Sequence, residues 1–460
     1  MRALNALGRH LAVVGFMGAG KSTLAEDVAA RLARPVVDAD LQLEGRVQLR
    51  LSEFFAKRGE TEFRVAEAAL VRQLLGAKDP AVVALGGGAV KTPTVRTSLA
   101  GAAFTVLIDV DVETAWQRVR GGDRPLAQDE ASFRRLYEER QPVYQEVADA
   151  TVASGDSDGV VLAAAGVHHE AAALERLGDL VPGDGPVALV ADETVLGLHG
   201  AAAAKALGSR LISTHELPAG EAAKQLSVAG RLWSELTLDR DGTVVALGGG
   251  STTDLAAFAA ATYLRGVSWV AVPTTLVGQV DAGIGGKTAI DLPEGKNLVG
   301  AFHWPARVVI DETLLATLPE HQRRQGVAEL VKTELLAGRT LDVRGAAAYK
   351  AALCVRDPYD RGPRRWLNLG HTFAHALETA AGFNLPHGDA VALGLLAALR
   401  LSGRDPTPVV DALDPQPVRV DRERAWQALL RDKKREQGEI NLVLLGENGP
   451  YVEARPPAEV

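Results

Sequence analysis

Two sets of residues in this chain have the types and spacing to do chemistry. The first opens with Gly15-Phe16-Met17-Gly18-Ala19-Gly20-Lys21-Ser22, a glycine-rich run between a short apolar stretch and a helix-like one. Glycines there let backbone N–H groups curl around phosphate oxygens, Lys21 adds a point charge, and the Ser22 hydroxyl can ligate magnesium. Asp38 and Asp40 end the next apolar run, one residue apart. On a strand both would point the same way at the sheet's carboxyl edge, one toward magnesium and the other toward a substrate hydroxyl. Gly59-Glu60-Thr61-Glu62-Phe63-Arg64, Gly86-Gly87-Gly88, Arg124-Pro125-Leu126 and Arg140-Gln141-Pro142-Val143-Tyr144 complete this set.

The second set begins with Val245-Ala246-Leu247-Gly248-Gly249-Gly250-Ser251-Thr252-Thr253-Asp254, again an apolar run, a glycine turn and a helix-like stretch, which can seat a pyrophosphate at a helix N-terminus. His371 and His375, at i and i+4, share one helical face, and His387 follows twelve residues later after Pro386. Cys354 is the single cysteine, so any metal must be held by histidines and carboxylates. Spacing alone leaves two readings of the histidines, metal ligands or hydrogen-bonded groups of a helical core.

The elements that must position these residues follow from the apolar pattern. Strand-like runs at Leu11–Val14, Pro35–Val37, Ala81–Leu85 and Phe104–Ile108 are separated by helix-length intervals, the rhythm of a parallel α/β sheet. A second rhythm places strands near Val187–Val190, Thr243–Leu247, Trp269–Val272 and Val308–Ile310, and beyond about Pro319 Ala/Leu-rich helical segments dominate to near residue 435. Turn-rich sequence at Ser154–Gly159 and Pro182–Pro186 marks a seam. The expected fold class is α/β: a P-loop domain with a parallel sheet over 1–165, a linker over 166–186, and a second domain over 187–460. That second domain divides into an α/β layer, 187–318, with the candidate nucleotide-binding turn, and an all-helical layer, 319–460, with the candidate metal-binding histidines.

With 460 residues, 47% of them apolar and 23% charged, the chain can bury more than one core. Its 50 basic and 58 acidic side chains give a net charge of −8, which speaks against a nucleic-acid-coating protein. No long uncharged apolar run and no signal-peptide cleavage pattern occur, so a cytoplasmic location without membrane insertion is expected.

In order and spacing, the first set closely resembles shikimate kinase over almost all of residues 10–152. The resemblance implies a kinase domain that takes ATP and Mg2+. Gly18, Gly20, Lys21, Ser22 and Thr23 would meet the nucleotide, Ser22 and Asp38 the magnesium, and Asp40, Arg64, Gly86, Gly87, Gly88 and Arg140 the shikimate. Lys21, Asp40 and Arg124 would be catalytic, Arg124 on a lid that closes over the nucleotide.

The second set, together with Pro273-Thr274-Thr275-Leu276, Gln279-Val280-Asp281, Gly285-Gly286-Lys287-Thr288, Gly295–His303, Ala328-Glu329-Leu330-Val331-Lys332 and Asp432-Lys433-Lys434, resembles 3-dehydroquinate synthase over about 187–445. The resemblance implies Zn2+, or Co2+, on Glu329, His371 and His387, with His375 beside the metal. It implies NAD on Asp192, Glu221, Lys224, Gly249, Gly250, Asp254, Thr274, Thr275 and Thr317. Arg265, Asp281, Lys287, Lys296, Asn297, Lys332, Lys350, Arg364, Asn368, His375 and one of Lys433 and Lys434 match the substrate pocket, and Lys287, Lys332, Arg364, Asn368 and His375 are its catalytic candidates. The implied reaction oxidises and later re-reduces one carbon of a seven-carbon sugar-acid phosphate, expels phosphate and closes a carbocycle, so NAD is recycled. The family also implies a homodimer through this half.

Two departures stand out: the chain between Lys332 and Lys350 is shorter than in that family, and Asp357-Pro358-Tyr359-Asp360-Arg361-Gly362-Pro363 lacks the usual acidic run after its first aspartate. The expectation is thus a two-enzyme fusion of chorismate biosynthesis. The alternatives are a metal-dependent polyol or alcohol dehydrogenase joined to another small-metabolite kinase, or to an ATP-sensing module.

Overall fold

The computed structural model describes residues 4–121, 129–293, 295–431 and 439–460, so Arg124, Lys433 and Lys434 lie outside the described residues. The chain divides into two compact units, Met1–Gly166 and Val167–Val460.

The first unit is a five-stranded, all-parallel sheet made of β1 (His10–Val14), β2 (Val36–Asp38), β3 (Val82–Ala84), β4 (Ala103–Asp109) and β5 (Ala150–Ala153), in the order β2-β3-β1-β4-β5. Every residue of the central β1 is buried, as expected for a strand covered by helices on both faces. Four strands match the apolar runs of the sequence to within about two residues. The fifth, β5, is only four residues with two of them exposed, too short and too polar to announce itself. The carboxyl ends of β1, β2 and β3 carry the glycine-rich loop, Asp38 and the Gly86–Gly88 turn onto one edge of the sheet.

The second unit holds a six-stranded parallel sheet of β6 (Val167–His169), β7 (Val187–Asp192), β8 (Leu211–Leu217), β9 (Thr243–Gly248), β10 (Ser268–Pro273) and β13 (Arg307–Ile310), ordered β6-β13-β10-β9-β7-β8. Between β10 and β13 the chain forms an antiparallel hairpin, β11 (Lys287–Leu292) and β12 (Gly295–Phe302). The helix Gly250–Thr262 that follows β9 is buried on most of its surface, which its run of Ala, Leu and Phe allows. Helices then dominate, from Glu320–Ala337 through Val343–Arg356, His371–Ala380 and His387–Leu401 to Arg422–Arg431. Among the described residues no helix is long and apolar enough to cross a membrane.

Two features differ from the sequence-based expectation. The helical layer is not all-helical, because an antiparallel hairpin, β14 (Ile440–Gly446) and β15 (Gly449–Arg455), buries Ile440, Leu442 and Leu444 against Ala376 and Leu429. Its alternation is legible once the packing face is known, but the run is short and lies beyond the last helix. The stretch 166–186, expected as a linker from its turns, supplies edge strand β6 and buries Ala173, Leu174, Leu177, Leu180 and Val181 in the core beneath β7, β9 and β10. Strand and helices there are three or four residues long, below the length at which periodicity speaks.

The buried position of Leu177 yields a test. Leu177→Ala should destabilise the protein by about 2–4 kcal/mol in denaturant unfolding, as a cavity in a packed core does. A change below about 0.5 kcal/mol would be the behaviour of a linker residue instead.

Candidate active sites

In the first unit the loop between β1 and the helix Lys21–Leu32 carries Gly15, Gly18 and Gly20 at φ 148°, 84° and 79°. A Cβ on Gly18 would stand 2.7 Å from the Ala115 carbonyl oxygen, so space as well as dihedral angle demands glycine. Lys21 Nζ donates to the Phe16 carbonyl at 3.0 Å, folding its charge over the loop. Ser22 Oγ donates to Asp38 Oδ2 at 2.5 Å, which brings the two expected magnesium residues together. Asp38 Oδ1 caps the next helix, accepting from the N–H groups of Asp40 (2.9 Å) and Leu41 (3.2 Å). Asp40 therefore lies in the first turn of the helix Ala39–Val47 and not beside Asp38 on a strand, because that cap turns the chain immediately after β2.

Asp40, Arg64 and Arg140 converge on the Gly86–Gly88 backbone. A Cβ on Gly86 would meet Asp40 Oδ1 at 2.4 Å, and one on Gly88 would meet Arg64 Nη2 at 2.4 Å, so these glycines are what lets carboxylate and guanidinium approach the turn. Arg140, 4% exposed, donates from Nη1 to the Gly87 carbonyl at 3.1 Å and lies 5.8 Å over the Phe16 ring. Its buried Nε has no partner among the described groups, a donor left over for an anionic ligand.

Two residues here were given no role by the sequence, Tyr144 within a quoted motif and Glu67 outside any. Tyr144 hydrogen-bonds the Gly87 carbonyl, and burial pushes its hydroxyl up to about 12. Glu67 pairs with Arg64 Nη1 at 2.7 Å while itself 3% exposed. Burial raises its carboxyl to about 7, against the pull of Arg64 and Arg140 and with Asp40 adding to the rise. Its position three residues after Arg64, on the same helix face, was the available signal.

In the second unit nearly all the expected residues line one cleft of ≈ 1970 Å³. Asp192, at the end of β7, accepts from Val195 N–H and Thr252 Oγ, both at 3.0 Å. Gly249, Gly250, Thr274 and Thr275 sit at the carboxyl ends of β9 and β10, and Thr317 meets His199, a lining residue the sequence did not single out, at 2.9 Å. Lys224, 4% exposed, donates to Asp254 at 2.7 Å and to the Asn297 side chain; Glu221 faces Lys296 at 3.8 Å. Arg265 does not line the cleft: it is exposed on a left-handed turn, φ 68°, after the helix Gly250–Thr262.

Deeper in, Lys350 Nζ reaches Asp281 Oδ1 at 2.5 Å, so the short connection after Lys332 still delivers Lys350 to the cleft. Lys332 ion-pairs with Glu329 and lies 3.9 Å from Asp281. Arg364, 2% exposed, is held by the Gly285 and Pro358 carbonyls at 2.8 and 3.0 Å. Asn368 bonds the Arg365 carbonyl at 3.0 Å. Asp357, the acidic residue kept in the divergent segment, accepts three backbone N–H groups of its own loop, and Asp360 pairs with Lys287 at 2.5 Å.

Glu329, His371 and His387 place their ligand atoms within 4.8 Å of one another. His371 Nδ1 faces the Leu369 carbonyl at 3.1 Å, and a carbonyl can only accept, so that nitrogen carries the proton. Burial holds His371 below its ordinary value, favouring the neutral ring, despite the opposing pull of Glu329. Its Nε2 then turns a lone pair toward Glu329 Oε1, 3.3 Å away, and two acceptors face to face require a positive centre between them. A divalent cation fits that donor set. His387 presents Nε2 to the same oxygen at 3.0 Å while Nδ1 faces Glu378, a 3%-exposed carboxylate missed from sequence, at 3.4 Å. Burial would raise Glu329, but above all the Lys332 ammonium holds it well below the ordinary carboxylate range, in the ligating form. His375 stacks edge-on to His371, ring centroids 5.6 Å apart.

A phosphate-loop α/β unit and a six-stranded unit with a glycine turn at a helix N-terminus and a three-ligand centre define a fusion of two enzyme classes, a phosphotransferase and a metal-dependent, nucleotide-binding enzyme. The shikimate kinase family profile matches residues 17–167, and those of the 3-dehydroquinate synthase N- and C-terminal parts match 214–325 and 309–435. The bifunctional shikimate kinase/3-dehydroquinate synthase of Thermotoga maritima is 32% identical over 92% of this chain and 92% of its own length. The 3-dehydroquinate synthase of Symbiobacterium thermophilum is 41% identical over 56% of this chain and 83% of its own. Among solved structures, a 2-epi-5-epi-valiolone synthase from Streptomyces hygroscopicus subsp. jinggangensis 5008, with NAD+ and Zn2+ bound, matches with a TM-score of 0.51 at 26% identity, covering 60% of this chain and 89% of that one. The chain belongs to the bifunctional shikimate kinase/3-dehydroquinate synthase family.

Two tests arise from this geometry. Folded Glu67 keeps its proton up to about pH 7, whereas an ordinary glutamate loses it near 4.5, so its contribution to stability is present below 4.5 and lost as pH rises through 7. Glu67→Gln should flatten that decline, worth roughly 3 kcal/mol at full burial, in unfolding curves taken across the window. For the metal centre, His387→Ala should lose bound metal in elemental analysis, Glu378→Gln should weaken metal affinity by about 10–100-fold, and His375→Ala should retain the metal. Loss from His375→Ala with full retention by His387→Ala would exchange the two histidines' roles.

Proposed function

We propose that the first unit phosphorylates the 3-hydroxyl of shikimate with ATP and Mg2+, and that the second converts 3-deoxy-D-arabino-heptulosonate 7-phosphate into 3-dehydroquinate and phosphate with NAD and Zn2+ or Co2+. The observation that carries the reading is that, Arg265 excepted, the described members of each expected set lie together within one unit.

In the kinase, the loop N–H groups and Lys21 hold the phosphates, while Ser22 and Asp38 hold the magnesium. Arg64 and Arg140 take the shikimate carboxylate in the forked geometry that guanidinium favours. Asp40 accepts the hydrogen bond of a ring hydroxyl and aims its oxygen at the phosphoryl group. The glycine turn brings backbone into contact with the same ligand.

In the synthase, Glu329, His371 and His387 would hold the metal, and Asp192, Lys224, Asp254 and the Gly249–Gly250 turn would hold the dinucleotide. When bound, these groups supply Lewis-acid polarisation of neighbouring hydroxyls and a reversible hydride acceptor. Lys287, Lys296, Asn297, Arg364 and Asn368 bind the phosphate and carboxylate of the substrate, and Lys332 and Lys350, neutralised by Glu329 and Asp281, keep the reaction chamber charged but balanced. His375, beside the ligand rings, moves the hydroxyl proton. We further propose a cytoplasmic homodimer formed through the synthase half.

The reading is tested with purified full-length protein assayed for both reactions. Lys21→Ala should reduce shikimate phosphorylation by at least about a hundredfold and leave dehydroquinate formation near that of the parent. Loss of both activities in a folded variant would contradict two separate sites, and net accumulation of NADH would point to a dehydrogenase.

A further inference from the structure

We infer that Asp291 is a positioning residue of the synthase cleft, tying the groups that meet the dinucleotide to those that meet the sugar phosphate; this rests on the reading of the cleft proposed above. Asp291 sits at the irregularity of the hairpin β11–β12, where the register shifts between Ile290 and Leu292. A bulge of this kind re-aims one side chain. Its backbone bridges to Gln225, the residue after Lys224, and this isolated bridge joins the hairpin to the segment carrying Glu221 and Lys224.

The side chain faces both groups. Asp291 Oδ1 accepts the backbone N–H of Asn297 at 2.7 Å and stands 3.9 Å from Lys224 Nζ. Asn297 stands at φ 55°, in the left-handed region that asparagine tolerates better than most residues, and the Asp291 carboxylate fixes its N–H in that conformation. Its side-chain oxygen accepts from Lys224 Nζ, and the same ammonium donates to Asp254 at 2.7 Å. One carboxylate thus fixes the backbone of a substrate residue and adds charge beside a buried cofactor residue. Burial works against the Lys224 charge, and Asp254, Glu221 and Asp291 together more than restore it.

The test measures NAD affinity by direct titration and the steady-state constants for the heptulosonate phosphate on the full-length chain, with thermal unfolding of each variant in parallel. Asp291→Ala should raise both the NAD dissociation constant and the sugar-phosphate KM about tenfold, the effect of one charge-assisted hydrogen bond, with kcat lowered by less than about threefold. Asp291→Asn keeps an acceptor of the same shape without the charge. It should return the KM to within about threefold of the parent while NAD binding stays weakened. Asp291→Ala within about twofold of the parent on both constants, or Asp291→Asn no better than Asp291→Ala in KM, would overturn the role. Should the alanine variant not fold, unchanged NAD affinity in Asp291→Asn overturns it alone. A parent protein that binds no NAD or forms no dehydroquinate overturns the assignment of the cleft and not the placement of Asp291.

Discussion

Glu329 has no solvent exposure, and the synthase half is organised around keeping it ionised. An unpaired carboxylate in such a place would take up a proton, since burying a lone charge costs several kcal/mol. Here Lys332 pairs with it one helical turn away, Asp281 balances Lys332, and Lys350 in turn pairs with Asp281. The charges alternate along this chain, so each carboxylate is drawn below its ordinary range despite its burial. Remove one member and the next is left uncompensated. The helices Glu320–Ala337, Val343–Arg356, His371–Ala380 and His387–Leu401, together with the Asp281 turn after β10, meet where that network requires them.

The kinase half obeys a different constraint, the close approach of backbone to charged side chains. Its pocket is made less by burying ions than by omitting Cβ atoms: at Gly86 and Gly88 any side chain would collide with Asp40 or Arg64, and at Gly18 with the backbone at Ala115. Arg140 and Tyr144 then close on the carbonyl of Gly87 from the helix Glu130–Val147. Glu67 is a buried carboxyl of this pocket that titrates near neutrality, because the Arg64 and Arg140 guanidiniums do not offset its burial and Asp40 stands nearby. The two halves thus reach ligand-ready charge by opposite means, a compensated network in one and a backbone cradle in the other.

The cleft of the synthase half also shows how an irregular element does positional work. The hairpin β11–β12 is outside the main sheet and much of β12 is exposed, yet it carries Lys287, Lys296 and Asn297. Its bulge at Asp291, its bridge to Gln225 and the Lys287–Asp360 pair moor it to the wall of the cleft. Polar contacts do here what a packed apolar face does for the sheet strands.

What the sequence by itself determined is local and of strict type: the glycine loop before Lys21, the glycine turn before Asp254, the histidine pair at one helical turn, and the longer apolar strands that carry them. These are legible because each depends on neighbours within a few residues, through φ, helical phase or strand alternation. The elements β5, β6, β8 and both hairpins were not legible, nor was the absorption of 166–186 into a core, because short segments gain their structure from partners far along the chain. The same holds for single residues. Glu67, Asp291, Asp360 and Glu378 look like surface acids in the sequence, and only tertiary structure sets them against Arg64, Asn297, Lys287 and His387. Arg265 shows the converse, a residue of suitable type that the chain's own path carries out of the cleft. A charged side chain's role is decided by what desolvates it and what opposes it, and neither is written in its immediate neighbours.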